Sequence, residues 1–115
     1  MIGTCEAFNL ADRLGLDAQT FFDISSTASG QNWSMTSYCP APGPVPTSPA
    51  NNDYQPGFAV DMMLKDLRLA KAAAEASGAK TDFGDAAEAI YSKLSEDELG
   101  SLDFSVIMKR IQGEI

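Results

Sequence analysis

Apolar residues recur along most of this chain at intervals of three and four, the spacing of one helix face. Nowhere do they alternate with polar residues as a half-buried strand requires. Met1, Cys5, Phe8 and Ala11 mark a first helix over residues 1–13. No Ser, Thr, Asp or Asn precedes Met1, so this pattern is already running, uncapped, at the first residue. Gly15 predicts its end, and Asp17 predicts the N-cap of a second helix that turns Phe21, Phe22 and Ile24 to a core. Met63, Leu67, Ala70 and Ala74 form the stripe of a third helix, closed by Gly78. Asp85 and Glu88 resemble a capping box opening a fourth, which carries Ala89, Ile90 and Leu94. After an acidic turn over residues 95–100, Asp103 is expected to cap a last short helix. Phe104, Ile107 and Ile111 face inward there, with Lys109 and Arg110 near the C-terminal end, where positive charge is favoured. The predicted class is all-α, with about five helices.

Between the second and third helices the pattern breaks. A polar turn over residues 25–30 is followed by Trp33 and Tyr38, and then by every proline in the chain, at 40, 42, 44, 46, 49 and 56. These forbid regular helix, and so long a loop inside a compact domain is uncommon unless it is functional. The segment GFAVDMMLKDLRLA, residues 57–70, follows at once and seats Lys65 and Asp66 in the first turns of an apolar helix. A stiff loop delivering a phenylalanine, a lysine and an aspartate to a helix start is a site builder.

Composition narrows the chemistry. The 115 residues are 44% hydrophobic and 21% charged, which suits one domain with a modest core. No apolar run approaches a membrane span and no basic-then-apolar leader is visible, so an intracellular protein is expected. The net charge of −8 divides evenly between residues 1–60 and 61–115, which leaves no basic face for nucleic acid. With two cysteines and no histidine, a zinc cluster and the imidazole-based triads are excluded. Acid–base chemistry would fall to lysine, carboxylate, tyrosine or cysteine. The small neighbours of Cys5 favour a buried, reduced thiol over a disulfide with Cys39.

The strings MIGTCEAFNLADRLGLD, SSTASGQNWS and ANNDYQPGFAVDMMLKDLRLA resemble the C-terminal domain of the 3-hydroxyisobutyrate dehydrogenase family, one of the β-hydroxyacid dehydrogenases. The likeness keeps its order across essentially the whole chain. The KDL helix and the Ser/Gly/Trp turn are specific in combination, though either alone would be weak. The resemblance implies a compact helical domain of the 6-phosphogluconate dehydrogenase C-terminal type, spanning residues 1–115. It implies a start inside the helix that joins this domain to an NAD(P)-binding Rossmann domain, and no strand followed by G-x-G-x-x-G occurs in the chain. The family's catalytic lysine lies in a G-x-x-G-x-x-x-K-x-x-N stretch early in that helix. Its expected place is therefore upstream of Met1, which agrees with the uncapped first helix and leaves no catalytic residue in this chain.

The resemblance further implies that Lys65 contacts the cofactor, NAD, with NADP left open because the discriminating residue belongs to the Rossmann domain. It implies that Trp33, Tyr38, Phe58 and Asp66 line the substrate and nicotinamide pocket. The reaction implied is oxidation of a small β-hydroxy acid, 3-hydroxyisobutyrate, to methylmalonate semialdehyde in valine catabolism. The 115 residues alone should be inactive. The partners implied are the N-terminal domain and further copies in a dimer or tetramer, with neither nucleic acid nor membrane. The compartment would be bacterial cytoplasm or mitochondrial matrix.

Plainer readings stand beside these. A Lys-Asp dipeptide is more often a solvated face than a site, and adjacent helical residues point about a hundred degrees apart and need not pair. Core burial is the default for a lone Trp, although Trp33 and Tyr38 lie outside any apolar stripe. Phe58 would by default be the apolar residue just ahead of a helix cap. Ser25, Ser26 and Gly30 most simply end a helix, while Met62 and Met63 pack. Two alternatives remain open here: a stand-alone helical dimerisation module without catalysis, and a piece of a longer gene.

Overall fold

Cys5, Phe8 and Ala11 fall on one buried face of a helix, as their spacing requires, in a computed structural model that describes residues 1–115. Six α-helices follow in chain order: α1 (Ile2–Arg13), α2 (Ala18–Ser25), α3 (Trp33–Thr36), α4 (Val60–Ser77), α5 (Asp82–Leu94) and α6 (Ile107–Gln112). Single 3-10 turns lie at Pro49–Asn52 and Phe104–Val106, and no helix is long and apolar enough to cross a membrane. The class is all-α, as the periodicity predicts. The chain divides into two compact units, Met1–Gln55 with Ser105–Ile115, and Pro56–Phe104.

In the first unit α1 packs against α2 and α6. Phe8 meets Phe21 edge-on with ring centroids 4.7 Å apart, and burying such a side chain stabilises by about 1.5–3 kcal/mol. Gly15, at φ 88°, turns the chain out of α1. Asp17 caps α2 as expected, accepting from the Thr20 amide at 3.0 Å and the Thr20 hydroxyl at 2.7 Å. Ile24 does not face the core. It is 61% exposed, because the α2 face that meets α1 carries Phe21 instead. The proline-rich stretch is ordered by side chains rather than by helix. Asn51 accepts from the Gly43 amide at 2.8 Å and donates to the Val45 carbonyl at 2.8 Å. Tyr54 donates to the Pro40 carbonyl at 2.7 Å from a left-handed backbone, φ 54°.

The second unit is an antiparallel pairing of α4 with α5. Val60, Leu64 and Ala74 are its buried α4 residues, so the stripe is turned from the predicted one. Met63 is only half-buried and Ala70 is exposed. Gly78, left-handed at φ 73°, ends α4 as its position predicts. α5 begins at Asp82, one turn before the expected capping box, because the Asp85 amide is already bonded to the Thr81 carbonyl at 2.8 Å. Glu88 is thereby freed for Arg68 at 3.3 Å and Lys71 at 3.5 Å, which tie α4 to α5.

Candidate functional site

The loop ahead of α4 is held in the second unit by a short antiparallel pairing with residues 100–104. Val60 donates its amide to the Leu102 carbonyl at 2.8 Å, and Asp61 to the Gly100 carbonyl at 3.0 Å. Phe104 returns a bond to the Phe58 carbonyl at 2.8 Å. Asp103 stands just before the 3-10 turn Phe104–Val106 that leads into α6, whose own cap position is Val106. Its Oδ2 accepts from the Gly57 amide at 3.0 Å and the Phe58 amide at 2.9 Å. That oxygen thus ties the loop before α4 to the start of the last helical segment. The half-buried Phe58 ring stands edge-on to Phe104 at 5.7 Å, and the Tyr91 hydroxyl donates to the Phe104 carbonyl at 3.0 Å.

Lys65 Nζ lies 3.1 Å from Asp66 Oδ1, so these neighbours do pair, with both side chains about half exposed. An exposed pair of this kind is worth about 0–1 kcal/mol, and its ammonium exchanges partners readily. Lys65 lines a groove of about 430 Å³ with Asp61, Leu64, Arg68, Leu69 and Ser95. Ser95 holds the Asp61 carboxylate at 2.6 Å, and Arg68 is drawn away to Glu88 and Ser92. Lys65 is thus the groove's adaptable cation, a group that can bond a phosphate, a ribose hydroxyl or a carboxylate. That donor chemistry fits the end of a dinucleotide.

In the first unit Trp33 opens α3 rather than sitting in an open turn. Asn32 is its cap, accepting from the Met35 amide at 3.0 Å while also meeting the Thr4 hydroxyl at 3.2 Å. The Trp33 ring stacks on Tyr38 with centroids 5.2 Å apart and planes 20° from parallel, yet it is 60% exposed. It is not a core residue. It borders a groove of about 540 Å³ whose walls include Met1, Thr4, Phe21, Asn32 and Met35. Aromatic faces left open beside small polar groups suit a compact organic substrate. Cys5 and Cys39 are buried and unpaired as thiols. Burial pushes Cys5 up to about 12 and raises Cys39, so neither is a nucleophile near neutral pH.

The predicted residues therefore fall into two sets. Trp33 and Tyr38 are brought together in the first unit, while Phe58, Lys65 and Asp66 belong to the second. Asn32 and Asp103 escaped prediction as supports of these sets. Asn32 carried a legible signal, three residues before Met35 at a helix start. Asp103 carried none, since its partners lie 45 and 46 residues away.

Residues 1–111 match the family model described as NAD-binding of NADP-dependent 3-hydroxyisobutyrate dehydrogenase. The probable 3-hydroxyisobutyrate dehydrogenase of Mycobacterium tuberculosis (strain ATCC 25618 / H37Rv) is 48% identical over 111 residues, covering 96% of this chain and 37% of its own length. The mitochondrial 3-hydroxyisobutyrate dehydrogenase of Drosophila melanogaster is 42% identical over 114 residues, 99% of this chain and 35% of its own. Among solved structures, Mycobacterium tuberculosis 3-hydroxyisobutyrate dehydrogenase with L-serine superposes with a TM-score of 0.93 at 48% identity. It covers 96% of this chain and 38% of that one. The chain thus spans little more than a third of the length of the relatives it matches.

Proposed function

Since this chain belongs to the family described as NAD-binding of NADP-dependent 3-hydroxyisobutyrate dehydrogenase, we propose that it is the helical C-terminal part of such an enzyme. The parent reaction is oxidation of 3-hydroxyisobutyrate to methylmalonate semialdehyde, a step of valine breakdown. NAD or NADP, when bound, supplies the hydride acceptor. Lys65 holds the cofactor, and the observation that carries this assignment is its half-exposed ammonium, paired only weakly with the adjacent Asp66. Trp33 and Tyr38 in the first unit, and Phe58 and Asp66 in the second, are each assigned to the substrate. Covering an aromatic face with substrate displaces water from it, and low local dielectric strengthens every polar contact to a small carboxylate.

We assign the general base and the dinucleotide-binding fold to a region outside these 115 residues, which contain no β-strand and no glycine-rich strand–helix turn. Further copies of the chain are its other partners, and the compartment is bacterial cytoplasm or mitochondrial matrix. A second substrate reading is supported by the L-serine in the Mycobacterium tuberculosis structure. L-Serine shares the 3-hydroxy acid skeleton and differs at C2, where an amino group replaces a methyl.

The test compares NAD(P)-dependent oxidation of both acids by the 115 residues alone and by the same residues fused to a dinucleotide-binding domain of the family. No turnover is expected from the chain alone. Turnover is expected from the fusion, with Lys65→Ala raising KM for the cofactor about tenfold, the loss of one charge-assisted contact. Turnover by the chain alone, or a fusion indifferent to Lys65→Ala, would overturn the reading. A fusion without turnover would favour a helical dimerisation module.

A further inference from the structure

Asp103 is fully buried in the second unit, with no part of its carboxyl group in water. Burying a carboxylate costs several kcal/mol unless strong bonds replace its hydration. Two of those bonds run to consecutive backbone amides, Gly57 at 3.0 Å and Phe58 at 2.9 Å, and both end on the same oxygen, Oδ2. Amides that converge on one atom fix the peptide plane between them and so fix the direction in which residue 58 leaves the chain. The opposite side of Phe58 is fixed too. Its carbonyl takes the Phe104 amide at 2.8 Å, and its ring rests edge-on against Phe104 at 5.7 Å. Phe104 is itself anchored at its carbonyl by the buried Tyr91 hydroxyl. The side chain before α4 is thus set by a carboxylate 45 residues further along the chain.

We propose that Asp103 is a positioning residue: through the amides of Gly57 and Phe58 it sets the Phe58 ring as a wall for the small 3-hydroxy acid. This rests on the proposed function for what Phe58 touches. Asp103 itself contacts no substrate and takes no part in proton transfer. Asparagine at this position keeps a carbonyl oxygen that can accept both amides, though without the charge that strengthens them. Alanine keeps no acceptor and strands two amides, each able to rotate the loop in search of water.

The test uses the active dehydrogenase containing this chain and compares Asp103→Asn, Asp103→Ala, Phe58→Leu and each Asp103 variant in the Phe58→Leu background. Phe58→Leu is expected to raise KM for 3-hydroxyisobutyrate about tenfold, the loss of one well-placed aromatic contact. Asp103→Ala should raise it by a similar factor with kcat far less affected, and Asp103→Asn by about threefold. In the Phe58→Leu background both Asp103 effects should vanish, because residues that act through one another are not additive. If Asp103→Ala does not fold, the isosteric Asp103→Asn carries the same cycle alone. An Asp103 effect that persists without Phe58, or a folded Asp103→Ala with unchanged KM, overturns the positioning role. Unchanged KM in Phe58→Leu itself overturns the pocket assignment, and the positioning role falls with it.

Discussion

Cys5 shows how burial alone decides what a reactive atom can do. Desolvation pushes its thiol up to about 12. An unfolded chain releases that proton first, so the native state binds more protons once the pH exceeds the thiol's ordinary value of 9.0. Stability from this source is intact below about pH 9 and declines as pH rises towards about 12. Urea midpoints should fall over that interval, and fall less in Cys5→Ala. A midpoint equally pH-dependent in both would remove Cys5 as the cause. At this scale the sequence is legible wherever cause and effect are close. The Asp17 cap could be read because Thr20 is three residues away. The bonds of Asp103 to the Gly57 and Phe58 amides could not, since nothing near residue 103 announces partners 45 and 46 residues away.

Between elements, backbone proximity sets limits that no periodicity reveals. Gly100 passes so close beneath α4 that a Cβ there would collide with the Asp61 carboxylate, which Ser95 already holds. Gly84, inside α5, has room, with its nearest neighbour Thr81 Cβ at 3.5 Å. Gly100→Ala should destabilise the chain by about 1–3 kcal/mol through overpacking. Gly84→Ala should instead stabilise it by roughly 0.4–1 kcal/mol, by restricting the unfolded chain. Chemical denaturation of the two variants checks the pair, and equal effects would contradict this account of Gly100. The phase of α4 illustrates a related limit. Met62, Met63, Leu64, Leu67, Leu69 and Ala70 spread apolar surface around most of the helix. Such a distribution establishes a helix but not which face is inward, and packing against α5 chose Val60, Leu64 and Ala74.

For the molecule as a whole, the competing quantities are exposed apolar area and like charge. Leu14, Ile24 and Trp33 in the first unit, and Leu69 and Phe83 in the second, are each at least 60% exposed, Phe83 reaching 95%. Large apolar side chains left in water favour association, while a net charge of −8 on every copy opposes it. Added salt screens the repulsion and leaves the apolar drive in place. The expected result is a sedimentation mass that climbs above 12.2 kDa with concentration, and climbs further in salt. A constant monomer mass in both conditions would rule out self-association through these surfaces. The all-α class and the order of the long helices were legible because each depends on local spacing. The bonding of residues 39–55 was not, because Asn51 and Tyr54 organise that loop through side chains that obey no period.

Arg13, at the end of α1, donates to the carbonyl of Gln112, across 99 residues of sequence. With it, the packing of α1 on α6 makes the first unit discontinuous, whereas the second occupies one uninterrupted stretch. On the ribosome, where segments emerge in order, the second unit is therefore complete sooner. The first, though begun earlier, waits for residues 105–115. During that interval α1 lacks the helix that completes its packing.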